Sequence, residues 1–341
     1  MKTKKDKLIS LPNISVIIPC RNEEKHIESC IKSIFNTDYP KNKLEILVID
    51  GLSTDKTPEI LKNLKKSHKF IKILKNKNKT TPFALNIGLK KSRFQIISRI
   101  DAHCTVNKKY FSEGIKCLLS NKADSVGGIL IAEPEKNSLI HKSISYSLNN
   151  KFGTGNATYR FKIKKEKEVD TVFGFFCKKS FLKKIGPFNN RLKRGQDMEY
   201  NIRIKKQGGK IILNPNMVSI YKARTFPIKF LKHNFLNGKW AILPFKFSEH
   251  IPVKTRHLVP LVFVSVLTLL IILSLINKTF LLFLLSILLI HLILGLAFST
   301  PIAKKEKSLF YLISMPITFL LLHISYGLGS LYGLLKYSQG H

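Results

Sequence analysis

The chain has 341 residues, 44% of them hydrophobic, and carries 58 Lys and Arg against 21 Asp and Glu, a formal net charge of +37. That length holds one catalytic-sized domain and a further segment, and the charge suits a polyanionic partner, either nucleic acid or an anionic bilayer leaflet. The sequence has no zinc-finger spacing and no Arg-rich recognition helix, which sets nucleic acid aside; five cysteines without a CxxC pair argue against a disulfide frame and for reduced thiols in a cytosolic domain.

Met1 to Lys7 is basic, and Pro12-Asn13 interrupts the apolar stretch a signal peptide needs, so residues 1–12 read as a short disordered tail. Ile14 to Ile18 is an apolar run too short for a helix and is expected to be a buried parallel strand. Ile27, Ile31, Ile34 and Phe35 then recur at helical spacing within Glu23 to Phe35. Leu44 to Ile49, Ile71 to Leu74 and Phe94 to Ile100 are further strands. Between them, Thr57-Pro58 and Thr81-Pro82 open helices that run to about Ser67 and Lys91, because proline is tolerated in a first helical turn. Strands alternating with helices imply βαβ units and a mostly parallel sheet covered on both faces. Such sheets bind ligands beyond the carboxyl ends of their strands. That rule singles out Pro19 to Glu23, Asp50 to Asp55 and Asp101 to His103.

The next stretch is less regular. Ser125 to Ala132 and Val169 to Cys177 are expected strands, and Asp197 to Gln207 an expected helix closed by Gly208-Gly209. Lys210 to Leu213 is an expected strand stopped by Asn214-Pro215. Phe226 to Phe247 mixes aromatics with lysine, as in an amphipathic helix on a membrane surface; an ordinary packing helix has the same pattern. His257 to Ile276, Thr279 to Ala303 and Leu309 to Leu335 are each long and apolar enough to span a bilayer. The division expected is therefore a catalytic domain over residues 13–224, an interface segment over 225–256 and a transmembrane region over 257–341. The positive-inside rule puts Lys254, Arg256, Lys304, Lys305 and Lys307 in the cytosol. Three spans then leave the chain after Lys336 outside, in a multi-pass protein of the cytoplasmic membrane whose catalytic domain is cytosolic.

Three polar clusters can do chemistry. In Asp50-Gly51-Leu52-Ser53-Thr54-Asp55 the glycine permits a tight turn and the carboxylates can accept hydrogen bonds from a base or ribose, although Asp55 could equally cap the helix that follows. Asp101-Ala102-His103 places a carboxylate and an imidazole two residues apart, able to share a divalent cation completed by a diphosphate; Mg2+ or Mn2+ suits oxygen-rich ligation. Arg99 beside it can neutralise phosphate or be a solvated charge. Asp197, near Glu199, can deprotonate a hydroxyl or simply cap its helix.

Taken together, Ser15-Val16-Ile17-Ile18-Pro19-Cys20-Arg21-Asn22-Glu23-Glu24, the Val48 to Asp55 string and the later Asp-x-His resemble the first strand and the nucleotide and metal motifs of family 2 glycosyltransferases, inverting enzymes of the GT-A fold. A subgroup, the succinoglycan-type exopolysaccharide glycosyltransferases, is similar in more: Phe152-Gly153-Thr154-Gly155, Val169 to Val172, and Gln196 to Glu199. The resemblance implies an α/β GT-A domain with C-terminal membrane helices. It implies that Asp50 contacts the base, that Pro19, Arg21, Glu23, Ser53, Asp55 and Asp101 line the donor pocket, and that Lys79 and Asn86 join them. It implies a cation on Asp101 and His103, with Asp197 as catalytic base. His103 departs from the second acid of the usual motif. The polymerase-type Gln-x-x-Arg-Trp is degenerate, at Asn237-Gly238-Lys239-Trp240, which speaks against a processive synthase. The function implied is sugar transfer from a nucleotide-sugar, UDP-linked by this resemblance, to a lipid-linked saccharide, alongside other glycan-assembly enzymes. Lys229, Lys232 and Lys239 are candidates to meet the lipid's phosphate. Transfer directly to polyprenyl phosphate, and a non-catalytic membrane scaffold binding nucleotide or lipid, are the alternatives.

Overall fold

A computed structural model of the chain describes residues 11–120, 123–246 and 248–338; most of the expected N-terminal tail lies outside them. The first hundred residues fold as β1 (Ile14–Cys20), α1 (Ile27–Phe35), β2 (Leu44–Asp50), α2 (Thr57–Ser67), β3 (Ile71–Lys75), α3 (Thr81–Lys91) and β4 (Ile96–Arg99). The four strands are parallel in the order β3-β2-β1-β4, with Ile18 opposite Val48 and Cys20 opposite Asp50. Side chains of a strand alternate between faces. Val16, Ile18, Ile46 and Val48 accordingly meet Ile27, Cys30, Ile31 and Ile34 of α1 on one side. Ile17, Leu47 and Ile49 meet Ala84 and Leu85 of α3 on the other. The helix expected from Glu23 begins only at Ile27, because residues 23–26 form a turn at the mouth of the sheet.

The second half continues with β5 (Cys104–Val106), α4 (Tyr110–Leu119), β6 (Ser125–Glu133), α5 (Leu139–Leu148), α6 (Lys151–Thr154), β7 (Lys167–Glu168), β8 (Phe173–Lys178), α7 (Lys179–Ile185), α8 (Gln196–Lys206), β9 (Ile211–Lys222) and α9 (Pro227–Ile242). They extend the sheet as β4-β8-β6-β9-β5, with β8 antiparallel to both neighbours and β7 also pairing with β9. Two strand expectations are corrected. The strand expected from Val169 starts at Phe173, because residues 169–172 run as a loop. The strand expected to stop at Asn214-Pro215 continues to Lys222. Its pairing with β6 jumps from Gly128–Asn214 to Ile129–Val218, so the proline falls in a bulge where no ladder N–H is required. Asn107 clamps that bulge: its amide nitrogen donates to the Asn216 carbonyl (2.9 Å), and its oxygen accepts from the Val218 N–H (3.0 Å). Gly128 is obligatory here, since a Cβ would strike the Met217 backbone.

α10 (Thr255–Ser274), α11 (Thr279–Glu306) and α12 (Phe310–Ser338) are each long and apolar enough to cross a membrane by length and composition. They match the three apolar runs of the sequence to within a few residues. Of the expected segment 226–247, residue 247 lies outside the described residues, and the rest forms α9 and a short 3-10 turn over Leu243–Lys246. One face of α9 packs closely along α12: Gly238 abuts the Tyr326 carbonyl, and Gly329 abuts the Phe235 carbonyl. Farther up α12, Ser314 hydrogen-bonds Ser143 of α5 (2.7 Å), and Phe319 meets the ring of Phe152 edge-on.

Candidate active site

The carboxyl ends of β1 and β2 are knitted into one surface. The Gly51 N–H donates to the Cys20 carbonyl (2.8 Å), and Asn22 and Leu52 take left-handed backbone conformations with φ of 54° and 55°. The Asn22 N–H donates to the Ser53 hydroxyl oxygen (2.8 Å), and the Asn22 side chain accepts from the Thr54 N–H (2.8 Å). Ser53 in turn donates to the buried Asp50 carboxylate (2.5 Å). Asp50 thus sits oriented at the strand end with acceptor capacity remaining. Pro19 lies beside Ile49 in the β1–β2 register. Arg21 lies over Gly51, where an added Cβ would press within 3.2 Å of its side chain and 3.3 Å of the Lys79 carbonyl. Lys79 is itself exposed, with φ of 63°, at the edge of the same surface.

Asp55 acts as a clasp. Its two oxygens accept from the Thr57 N–H (3.0 Å) and the Glu24 N–H (3.1 Å), joining the start of α2 to the β1 loop. Desolvation pushes its carboxyl up, but those hydrogen bonds outweigh it and the net shift is downward. The N-cap position of α2 is Lys56, so Asp55 ties the helix start to the β1 loop from one residue before the cap.

The ends of β4 and α8 meet through one buried guanidinium. Arg99, 2% exposed, donates from Nε to Asp101 (2.9 Å) and from Nη1 to Asp197. Arg99 is therefore neither a solvated charge nor free for phosphate: it holds two acids from distant parts of the chain beside each other. Gly195, in the left-handed conformation at φ of 75°, turns the chain into α8 and aims Asp197 at this point. His103 follows Asp101, and its Nδ1 lies 3.3 Å from a carboxylate oxygen of Glu23 in the β1 loop. Burial pulls the imidazole's pKa down, while the Glu23 bond and the Asp101 charge raise it by more. Among the described residues no three His, Cys, Asp or Glu gather as a metal site. Asp101 and His103 nonetheless offer one carboxylate and one imidazole two residues apart, a donor set that would suit Mn2+ or Mg2+. Glu23 would orient that imidazole from behind.

Glu23, His103 and Asp197 line one cavity of about 480 Å3, walled on its far side by Asn234 and Trp240 of α9, His257 of α10 and Tyr326 of α12. It also receives Arg160, Arg194, Arg224 and Arg256. Arg160, Arg194 and Arg224 went unread, and Arg256 was read only for membrane orientation, because 58 basic residues hide any four. Two expectations are not met. Asn86 is spent on the 188–190 turn, donating to the Phe188 carbonyl (2.9 Å) and accepting from the Phe188 N–H (2.8 Å), rather than joining the surface around Asp50. Lys229 and Lys239 lie over the rings of Phe226 and Tyr332 and do not line the cavity. The motif Phe152 to Gly155 is a joint: Phe152 stacks on Phe298, and Gly155, at φ of 61°, lies against Arg256.

The glycosyl transferase family 2 model matches residues 15–186. A dolichyl N-acetylglucosaminyl phosphate diacetamidodideoxyglucuronosyltransferase of Methanococcus voltae is 33% identical over 66% of this chain and 71% of its own. Succinoglycan biosynthesis protein ExoA of Rhizobium meliloti is 25% identical over 70% of this chain and 76% of its own. Among solved structures, the mannosyltransferase PcManGT of Pyrobaculum calidifontis, in complex with GDP-Man and Mn2+, superposes with a TM-score of 0.58 at 17% identity. That match covers 95% of this chain and 88% of the mannosyltransferase. The chain belongs to glycosyl transferase family 2, and its fold is GT-A.

Proposed function

We propose that this family 2 glycosyltransferase moves a sugar from a nucleotide-sugar, UDP-linked in our reading, to a saccharide carried on a polyprenyl phosphate or diphosphate lipid, with inversion at the anomeric carbon. The observation that carries this is the placement of Asp197 against the Asp101–His103 corner, through Arg99, on a cavity whose other wall is made by the apolar helices. The M. voltae relative, by its name, acts on a dolichyl phosphate-linked sugar, which supports the acceptor class. The apolar helices hold the domain at the cytosolic face of the membrane, where such a lipid presents its head group.

Asp50, fixed by Ser53, receives the base, with Pro19, Arg21 and Lys79 bordering the nucleoside. A divalent cation held by Asp101 and His103 would supply charge neutralisation for the leaving diphosphate. Asp197 takes the proton from the acceptor hydroxyl as the new C–O bond forms and the bond to the diphosphate breaks. Arg99 is the positioning residue: it fixes the Asp197 carboxylate while leaving its second oxygen for the hydroxyl. No covalent enzyme intermediate is required, so one displacement inverts the configuration.

Membranes containing the protein, supplied with labelled UDP- or GDP-sugars and Mn2+, are expected to place label in the chloroform-soluble lipid fraction. Label found only in water-soluble product would overturn the acceptor assignment. Release of the lipid-linked glycan shows whether one sugar sits directly on phosphate or a saccharide has been extended.

A further inference from the structure

The cavity beside Asp197 gathers four arginines to which the proposed mechanism assigns no role. Arg194 on the loop before α8 and Arg224 after β9 converge on one imidazole: their Nη1 atoms lie 3.5 Å and 2.8 Å from Nδ1 of His233 on α9. Arg194 also donates to Asn237 one turn later (2.6 Å). His233 is neutral, because burial and the two guanidiniums push its pKa to about 3, so its Nδ1 serves both as an acceptor. Arg160 is tied to the Tyr221 hydroxyl (3.1 Å), and Arg256 to the Asn156 carbonyl (3.4 Å). None of these four arginines makes an ion pair with a carboxylate among the described residues. Of the carboxylates lining the cavity, Glu23 is held by His103 and Asp197 by Arg99, which leaves Glu135. Four guanidiniums against one uncommitted carboxylate leave an excess of positive charge that an anion would complete, and planar guanidinium forks match phosphate oxygens.

We propose that Arg194 and Arg224, seated on His233 and Asn237 and flanked by Arg160 and Arg256, bind the phosphate of the lipid acceptor. This rests on the acceptor class argued above. The lining fits the chemistry of such a lipid: the same cavity holds Asp197, which the accepting hydroxyl must meet, and Leu322 and Tyr326 of α12, on the apolar helices that the lipid chain must meet.

The test is binding, read without turnover, on the full-length protein in detergent. Calorimetry with farnesyl phosphate, farnesol, inorganic pyrophosphate and UDP separates the sources of phosphate. Farnesyl phosphate is expected to bind about tenfold or more tightly than farnesol or pyrophosphate, and Arg194→Gln and Arg224→Gln are each expected to weaken it about tenfold while leaving UDP unchanged, as for loss of a charged hydrogen bond. Arg224 is exposed, so its variant decides the matter alone if Arg194→Gln fails to fold. Equal loss of UDP assigns the cluster to the donor diphosphate and overturns the proposal. Pyrophosphate binding as tightly as farnesyl phosphate, or no loss in either variant, also overturns it. Failure of glycosyl transfer with farnesyl phosphate binding intact would sink the enzyme reading and leave this one standing.

Contacts independent of those arginines lead us to infer that α12 lies along the membrane face and does not cross it. α5 and α6 of the catalytic domain, and then α9, cover α12 for nearly its whole length. Tyr146 of α5 meets Tyr311, Ser143 meets Ser314, Phe152 meets Phe319, Gly238 meets Tyr326, Phe235 meets Gly329, and the residue 239–242 turn of α9 meets Gly333. The Lys246 ammonium then reaches the Lys336 carbonyl. Residues 311–336 extend about 38 Å at helical rise, more than the roughly 30 Å hydrocarbon core. An upright α12 would draw the lysines of α9 into that core, where charge is expensive. The exposed apolar residues Leu309, Ile313, Ile317, Leu321, Leu328 and Leu335 instead recur at the spacing of one stripe, away from the face that meets α5, α6 and α9, as on an interfacial helix. Basic residues flank α12 at both ends, Lys304, Lys305 and Lys307 before it and Lys336 at its close, so the positive-inside rule puts both ends on one side. An epitope appended after the last residue is expected to be digested by protease from the same side of sealed vesicles as the catalytic domain. Digestion of the two from opposite sides would overturn the inference.

Discussion

The two halves of the catalytic domain are made differently. The half proposed to hold the donor, β1 to β4 with its helices, is built from consecutive strand–helix units, and its surface is set by short bonds at strand ends: Gly51 on Cys20, Ser53 on Asp50, Asn22 on Thr54. The acceptor half is assembled from segments far apart in the chain, α5, α6, α8 and α9, and is completed by the apolar helices. Arg99 spans the seam between the two, bonded to Asp101 on one side and Asp197 on the other. On the proposed function, the nucleotide pocket would be complete without the chain beyond residue 250, while the site for the second substrate would depend on it.

Asp197→Asn breaks this comparison most sharply. Transfer is expected to fall about 10²–10⁴-fold, the range for loss of a positioned general base, while UDP binding stays intact. Asp101→Asn, by contrast, should weaken the metal-dependent binding of donor as well. Wild-type turnover in Asp197→Asn would remove it from the mechanism.

Gly238→Val acts on the acceptor half through packing. A side chain there meets the Tyr326 carbonyl, so α9 and α12 must separate, at a cost of about 3 kcal/mol. Donor affinity, measured by UDP titration, should be unchanged, and transfer to lipid should be lost. Loss of UDP binding to the same degree would show that the halves do not act separately.

Glu45 tests the donor half away from its chemistry. It is fully buried at the amino ends of the strands, paired with Lys72 (2.9 Å) and Arg93 (2.8 Å) and accepting from Ser15 (2.7 Å). Burial raises its pKa, but these bonds outweigh that and hold the carboxyl below its ordinary value. A depressed folded-state pKa means the stability it contributes is full above the unfolded value and fades as pH falls through the folded one. Glu45→Gln should cost about 2 kcal/mol at neutral pH and flatten the acid limb of the melting curve. An unchanged acid limb would contradict this.

What could be read from sequence follows the same division. The alternation of apolar runs with Thr-Pro helix starts placed β1 to β4 and α1 to α3 within a few residues, because each element carries its own local signal. Asp50, Asp101, His103 and Asp197 were legible as polar residues at strand ends or a helix start. β9 was cut short because Pro215 normally ends a central strand, and nothing local announces a bulge clamped by Asn107. α4, α5 and α6 were not read at all. Arg194 and Arg224 carry meaning only through their meeting at His233, 39 and 9 residues distant, and a uniformly basic chain conceals them.

Asn86 is the smallest and most discriminating case, because sequence resemblance and structure disagree about it. If its amide serves the donor, Asn86→Ala should weaken UDP or UDP-sugar binding. If it serves the 188–190 turn, the variant loses about 1 kcal/mol of stability and the donor affinity stays. The structure favours the second, with three hydrogen bonds from one side chain to that turn. A modest secondary effect on transfer is still expected, since residues 188–190 lead into the loop that carries Arg194 and Gly195 toward Asp197. A fall in kcat for transfer without a change in UDP affinity would therefore place Asn86 with the acceptor half, although it stands on a helix of the donor half.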